Sequence, residues 1–359
     1  NFMCSYHGWT YSNEGKLVSV PGLQEAYYGE LDVDNLGLVP VAHLESYAGL
    51  VFATWAEDAP TLEEYLGDMR WYMDVRYNHR DNGTEWIGPV KWLMPCNWKA
   101  PCENAIGDNH HGLITHASSA IVQAQFKGGQ SRTYLSHRER FLQPGRQVSA
   151  GNGHGLLVTI LDEDREGQMS SNLRDWDKTR DSRAVYEQER QAEMERRLGT
   201  LRARRVQPGN SNIFPNLFLG GALAIPRGPR MTEVWTWVQV DKDAPEEIKR
   251  AAIQQMPQAS ASHLTSIHAQ DDMNNWAQVT DSGAYTAVRH LPQDLSMGIG
   301  HDTKIDKFPG VRHSQSFCAE TNHRSYYTRW EEFMNAGSWA DIPIDPITAK
   351  FEGTATLKG

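Results

Sequence analysis

Apolar positions follow two regimes along the chain. From Phe2 to about Trp55 they come in short runs, Tyr6 to Tyr11, Leu17 to Val20, Leu38 to Val41 and Leu50 to Trp55, separated by Gly, Asn, Asp and Pro. Runs this short between turn-forming residues predict small antiparallel strands. After Ala59-Pro60 the regime changes, because Thr61-Leu62-Glu63-Glu64 has the form of a helix capping box. A domain boundary near residue 60 follows, with one domain over 1–60 and a second over 61–359.

In the second domain, strand-like runs recur at Gly155 to Leu161, Asn216 to Ile225 and Glu233 to Val240, the last alternating Val234, Thr236 and Val238 with Trp235 and Trp237. They are expected to form one antiparallel sheet. Helical stretches are expected around Glu103 to His116, Ser182 to Arg205, Pro245 to Gln255 and Arg324 to Asn335. The economical architecture is therefore α+β, with helices packed against the sheet. Asp162 to Arg205 is dense in both signs of charge and reads as a solvated helix carrying i,i+4 pairs, and Ile342 to Gly359 reads as an irregular tail.

Composition narrows the class. A chain of 359 residues, 39% hydrophobic and 22% charged, is long enough for two globular domains. Its formal net charge of -10 argues against nucleic acid or an anionic membrane as partner, either of which favours a basic face. No apolar run approaches the roughly 20 residues that cross a bilayer, and no signal segment opens the chain, so a cytoplasmic enzyme is expected. The four cysteines are too few and scattered to staple the fold, which fits a reducing compartment. The chain starts at Asn1 and runs into what reads as the interior of a strand, so it is expected to be a fragment lacking its N-terminal end.

Chemistry-bearing side chains gather in two places. Near the start, Cys4-Ser5-Tyr6-His7-Gly8-Trp9 sets a thiol and an imidazole three residues apart, a spacing from which both can reach one metal out of a tight loop. A buried Cys beside an incidental His fits that spacing equally. The richer stretch holds Asn97-Trp98-Lys99, Glu103-Asn104, Gly107-Asp108, His110-His111 and His116. A non-haem ferrous site takes two neutral imidazoles and a carboxylate on one face, leaving positions open for dioxygen and substrate. Zinc uses similar ligands, so spacing does not name the metal. On a regular helix His111 and His116 diverge by about 140°. Either the helix is distorted near Gly112 or the metal sits at a bend. Asp108 and His111 do share a face. His110 competes with His111, and a polar helix face with satisfied histidines is the alternative.

Taken together, these motifs resemble the large (alpha) subunit of Rieske non-haem iron aromatic-ring-hydroxylating dioxygenases of the naphthalene and biphenyl type. Cys-x-x-His-Gly-Trp, followed by Gly15-Lys16-Leu17 and Pro21, is similar to the second half of a Rieske motif. That implies Cys4 and His7 as two ligands of a 2Fe-2S cluster, with the first Cys-x-His half upstream. Asn-Trp-Lys, Glu-Asn and Gly-Asp-x-x-His-x-x-x-x-His resemble the catalytic-domain signature, which implies His111 and His116 as iron ligands and Asp108 as a bridging aspartate between the iron histidine of one subunit and a cluster histidine, here His7, of its neighbour. Gln270-Asp271-Asp272-Met273-Asn274-Asn275-Trp276 matches the site of the third ligand and implies Asp272; Asp271 also suits the positive end of a helix dipole. Tyr47 to Phe52, Phe214 to Leu217 and Thr232 to Trp235 extend the resemblance through most of the chain.

The resemblance implies a truncated all-β Rieske domain followed by a catalytic domain with a helix-grip-like antiparallel sheet flanked by helices. It also implies a terminal oxygenase that adds both atoms of O2 to an arene to give a cis-dihydrodiol, fed from NADH through a reductase and a ferredoxin. Assembly with a small beta subunit as α3β3, or as an α3 trimer, is implied too. Asn104, Ala105, Gly112, Ser262 and His268 fall at pocket positions, and the small or polar residues among them imply a wide, more polar pocket. A polycyclic arene uses the width. A carboxylate such as phthalate instead uses His268, Arg227 or Arg230. A monooxygenase with the same ligands, or a non-enzymatic module binding a hydrophobic ligand, are the remaining readings.

Overall fold

The computed structural model describes residues 1–118, 121, 141–160, 180–259 and 269–351. The chain divides into two compact units, Asn1–Ala59 and Pro60–Gly359. In the first, β1 (Phe2–Met3), β2 (Thr10–Tyr11) and β3 (Leu17–Ser19) form a three-stranded antiparallel sheet, and β4 (His43–Tyr47) pairs with β5 (Leu50–Thr54). The run from Tyr6 is a strand only at its end, because Ser5 to His7 turn and the Gly8 N–H closes on the Cys4 carbonyl at 3.0 Å. The strand expected at Leu38 to Val41 lies instead at His43–Tyr47. Ala48 and Gly49, both at positive φ, make the two-residue hairpin that pairs Tyr47 with Leu50, so turn geometry rather than the apolar run sets which residues pair.

The second unit opens with α1 (Leu62–Leu66), whose capping box is present: Thr61 and Glu64 bond reciprocally. Then come α2 (Met69–Tyr77), β6 (Thr84–Met94), α3 (Lys99–Gly107), β7 (Arg146–Gly151) and β8 (His154–Ile160). After these the described chain continues through α4 (Arg180–Leu198), α5 (Thr200–Arg205), β9 (Val206–Asn212), β10 (Leu217–Phe218), β11 (Ala222–Gly228) and β12 (Met231–Asp241). It ends with α6 (Glu246–Ala259), α7 (Ala269–Ala284), β13 (Arg312–His313) and α8 (Thr321–Asn335).

Antiparallel strands in the orders β10-β11-β12-β6 and β13-β7-β8-β9 make two four-stranded ladders, and the Ile213–Leu217 bridge joins them where β9 hands over to β10. The one antiparallel sheet expected is thus made of two ladders joined by a bridge. Three of its strands have no apolar signature. In β6 the alternation is interrupted by Gly88-Pro89, and the β12 register shifts between Thr236 and Val238 opposite that dipeptide, whose proline has no N–H to donate. β7 and β9 bury polar side chains, Gln147, Ser149, Ser211 and Asn212 among them.

Helix α4 is not wholly solvated as expected. Met194 and Leu198 pack with Val75 and Ala203, and Tyr186 packs with Ala244 and Ile248. Gly199 at φ 81° separates α4 from α5, which divides the single helix expected there; residues 162–179 of that charged segment lie outside the described residues. The C-terminal stretch to residue 351 is irregular, as its composition implied, but it is strapped down: the Thr348 and Ala349 N–H groups donate to the buried Asp68 carboxylate at 2.7 and 2.8 Å.

Burial also fixes a histidine tautomer. His154 is fully buried, accepts from the Phe214 N–H at Nδ1 (2.9 Å) and therefore donates from Nε2 to the Tyr65 carbonyl (2.7 Å). Burial, helped by the charge of Arg329, lowers its pKa to about 4. The unfolded chain thus takes up this proton before the folded one does. His154 contributes stability that is complete above about pH 6.5 and lost as pH falls toward 4, on the order of 3 kcal/mol in all. Urea denaturation of the wild type and His154→Gln at pH 7, 6 and 5 measures this; the variant is expected to lose less stability across the window, and parallel profiles would show the opposite.

Candidate metal centre

Two elements bring the site together, and distant amides shape the first. Helix α3 stops at Gly107, where Asp108 turns out at φ -73°, ψ 88°. The carbonyls that a longer helix would have used are taken by fully buried side chains. Gln147 Nε2 donates to Gly107 O (2.7 Å) and to Ala319 O, while Asn322 Nδ2 donates to Ile106 O (2.8 Å) and Leu156 O (3.1 Å). A Cβ at Gly107 would lie 3.0 Å from the Gln147 amide. Beyond the stop the chain makes a 3-10 turn, His111–Leu113, and a further turn to His116. The helical stretch expected around Glu103 to His116 is therefore interrupted, as bringing the two histidines together requires, with the break at Gly107 rather than at Gly112.

Helix α7 supplies the other side. Met273 and Trp276 pack on Trp92, Met94 and Val234 of the sheet and on Cys96 just past β6, and the Asn97 N–H donates to Thr280 Oγ1 at 2.8 Å. This seating buries Asp272, in the first turn, to 1% exposure.

His111 Nε2, His116 Nε2 and Asp272 Oδ1 then form a nearly equilateral triangle with edges of 3.1, 3.4 and 3.3 Å. Among the described residues this is the one group of three His, Cys, Asp or Glu side chains close enough to hold a metal ion. A circle through the three atoms has a radius of about 1.9 Å, a spacing from which all three could reach one ion at the usual ligand distance of about 2.1 Å. Both Asp272 oxygens are buried and make no hydrogen bond. An ionised carboxylate in that state is costly unless a cation faces it, so the donor set fits a divalent ion.

The histidines are oriented from behind. Asp108 Oδ1 lies 3.2 Å from His111 Nδ1 and accepts from the His111 N–H, also at 3.2 Å, which turns Nε2 toward the triangle. Burial raises the Asp108 pKa, but the hydrogen bond and charge of His111 outweigh it and hold the carboxyl at about 2. For His111 burial works downward, and the carboxylates of Asp108, at its Nδ1, and then Asp272, facing its Nε2, overcome it, raising the imidazole to about 10 without a metal. His110 stays outside the triangle, its Nδ1 3.3 Å from Asp108 Oδ1.

Asn104 Nδ2 rests 3.4 Å from the ring nitrogens of His111, and Ala105 and Gly112 are half-buried nearby in sequence on α3 and the 3-10 turn. Ser262 and His268 lie outside the described residues. Arg227 and Arg230 are half or more exposed and already paired, Arg227 with Glu233 at 2.6 Å and Arg230 with Asp281. In the first unit, Cys4 and His7 are exposed on one turn, and backbone N–H groups of Tyr6 and His7 lower the Cys4 pKa, favouring the thiolate a metal needs. Gly8, at φ 75° with a notional Cβ 3.1 Å from Pro21, is required by that turn.

Sequence reasoning missed Thr115 and Asn275, whose side chains bond at 3.2 Å, and the capping amides Gln147 and Asn322. Asn275 carried a signal, standing four residues after Asp271 and so on its face of the helix.

Residues 62–335 match the family model described as ring hydroxylating alpha subunit (catalytic domain). Over 352 residues, 95% of this chain and 74% of the relative, the sequence is 31% identical to the large oxygenase component of the naphthalene 1,2-dioxygenase system of Pseudomonas aeruginosa. It is 33% identical over 357 residues to the biphenyl 2,3-dioxygenase subunit alpha of Rhodococcus jostii, covering 95% of this chain and 72% of that one. A crystal structure of a naphthalene 1,2-dioxygenase mutant bound to phenanthrene aligns with a TM-score of 0.77 at 30% identity, over 95% of this chain and 75% of that one.

Proposed function

This chain belongs to the ring-hydroxylating alpha-subunit family, the large oxygenase components of aromatic-ring dioxygenases, and from that premise we propose that His111, His116 and Asp272 hold its mononuclear iron and that its substrate is a polycyclic arene. The observation that carries the metal assignment is the Asp272 carboxylate, buried without a hydrogen bond at one corner of the triangle. When bound, the iron supplies dioxygen activation, and a Rieske cluster supplies electrons that originate in NADH and arrive through a reductase and ferredoxin. Cys4 and His7 serve the cluster. Asp108 holds His111 in the Nε2-ligating orientation and, by hydrogen bonding, relays between it and the cluster histidine of a neighbouring copy in an α3 or α3β3 assembly with a small beta subunit. Asn104, against the His111 ring, limits its rotation.

The substrate proposal rests on size and charge. Ala105 and Gly112 carry little or no side chain near the metal histidines in sequence, which favours a broad ring system. Of the three side chains that could receive a phthalate-type carboxylate, Arg227 and Arg230 are paired at the surface. Among the described helices none is long and apolar enough to cross a membrane. Parallel assays of naphthalene, phenanthrene and phthalate with a matched reductase and labelled dioxygen test the reading. The expected product is a cis-dihydrodiol of a polycyclic arene carrying two labelled oxygens. Oxidation of phthalate alone overturns the substrate class, a single labelled oxygen overturns dioxygenation, and less than one iron per chain after anaerobic loading favours a binding module.

A further inference from the structure

Two carboxylates stand behind the two histidines, and their surroundings differ. Asp108 touches His111 directly. Asp271 lies 4.0 Å from His116 Nδ1, too far for a hydrogen bond, and accepts instead from Ser118 Oγ at 3.5 Å. One helical turn on, Asn275 Nδ2 donates to Thr115 Oγ1 at 3.2 Å. Thr115 and Ser118 flank His116, while Asp271 and Asn275 flank Asp272 on α7. The two cross-links therefore join the turn carrying the second histidine to the helix carrying the carboxylate. They bridge segments more than 150 residues apart in the chain.

We propose that Thr115–Asn275, with Ser118–Asp271, is a latch that holds the His116–Asp272 edge of the triangle and governs how long the metal stays, a duty separate from that of Asp108. This rests on the metal assignment proposed above. His116 closes the turn that follows the His111–Leu113 3-10 turn, and its 3.3 Å edge to Asp272 must survive thermal motion of that turn if an ion is to keep three ligands. Thr115 and Asn275 are positioning residues. Neither belongs to the triangle, and Asn275 lies at the surface, so replacing them leaves the ligand set intact.

The test is a double-mutant cycle on the full chain, Thr115→Val, Asn275→Ala and both together, reading the rate of iron loss to an excess chelator and, separately, turnover per bound iron. Each single change is expected to speed iron release about fivefold, the factor that corresponds to one hydrogen bond worth about 1 kcal/mol, and the double change to add nothing further. Turnover per bound iron is expected to stay within about twofold of wild type, because the ligands and Asp108 are untouched. Unchanged release in the single variants overturns the latch. So does a double variant in which the two factors multiply, since that shows independent structural effects. Reduced turnover per iron overturns the separation of duties. A wild type that never holds one iron per chain overturns the underlying metal assignment instead, and this outcome is read before any variant is made.

Discussion

Asp272→Ala is expected to leave a folded protein that holds less than about a tenth of an iron per chain and has lost ring oxidation by at least about a thousandfold. The carboxylate contributes nothing to the apo fold through hydrogen bonding, for its buried oxygens make none; its contacts there are the paired histidines at 3.3 and 3.4 Å. Removing it costs the metal a charged corner while leaving the packing of Met273 and Trp276 in place. The loss should therefore appear chiefly in iron content, with the metal-free melting temperature lowered only through the lost Asp272–His111 ion pair. His111 adds a second readout. With its pKa raised to about 10 by Asp108 and Asp272, the imidazole is protonated at neutral pH until a cation displaces the proton. Metal loading of the wild type at pH 7.5 should release about one proton from His111, measurable in calorimetry as a dependence on buffer ionisation enthalpy. Asp272→Ala retaining a full iron would move the third ligand elsewhere.

The ligand triangle and the residue break that creates it were not equally legible in the sequence. Helical spacing set His111 and His116 apart, and only the family-like motif joined them. The missing piece was the end of α3 at Gly107. That stop depends on Gln147, 40 residues away, and on Asn322, 216 residues from its partner Ile106. No local pattern carries such a signal, because the helix is ended by tertiary hydrogen bonds and not by a capping residue in its own sequence. The capping box at Thr61 to Glu64 was readable for the opposite reason, since both partners lie within one turn. Strands followed the same division. β12 alternates and was found, whereas β6 carries Gly88-Pro89 and β9 is the polar Val206–Asn212, held in place by pairing with β8. Arg227 and Arg230 show what residue type alone leaves open: cations suited to a carboxylate substrate that are paired with surface carboxylates.

Asp108→Ala should produce the opposite phenotype to Asp272→Ala, with iron retained at close to one per chain and product formation reduced by about a hundredfold or more. Asp108 is no corner of the triangle, so the ligand atoms survive its loss. Its helix-ending backbone bond, the N–H to Asn104 O at 3.2 Å, is also kept by alanine. What disappears is the charged acceptor at His111 Nδ1, which both aims the ring and, in the proposed assembly, connects it to the neighbour's cluster histidine. Asp108→Asn separates these two duties. The amide oxygen can still accept from Nδ1, so aim is largely preserved, while the negative charge that stabilises a proton on that nitrogen is gone. If coupling to the cluster matters most, both variants lose steady-state turnover. Both would then also slow the reoxidation of the reduced cluster in stopped flow. If aim alone matters, Asn restores most of the activity that Ala loses. Normal turnover of either variant with a full electron supply would remove Asp108 from the pathway, and would leave its contact with His111 as a purely structural one.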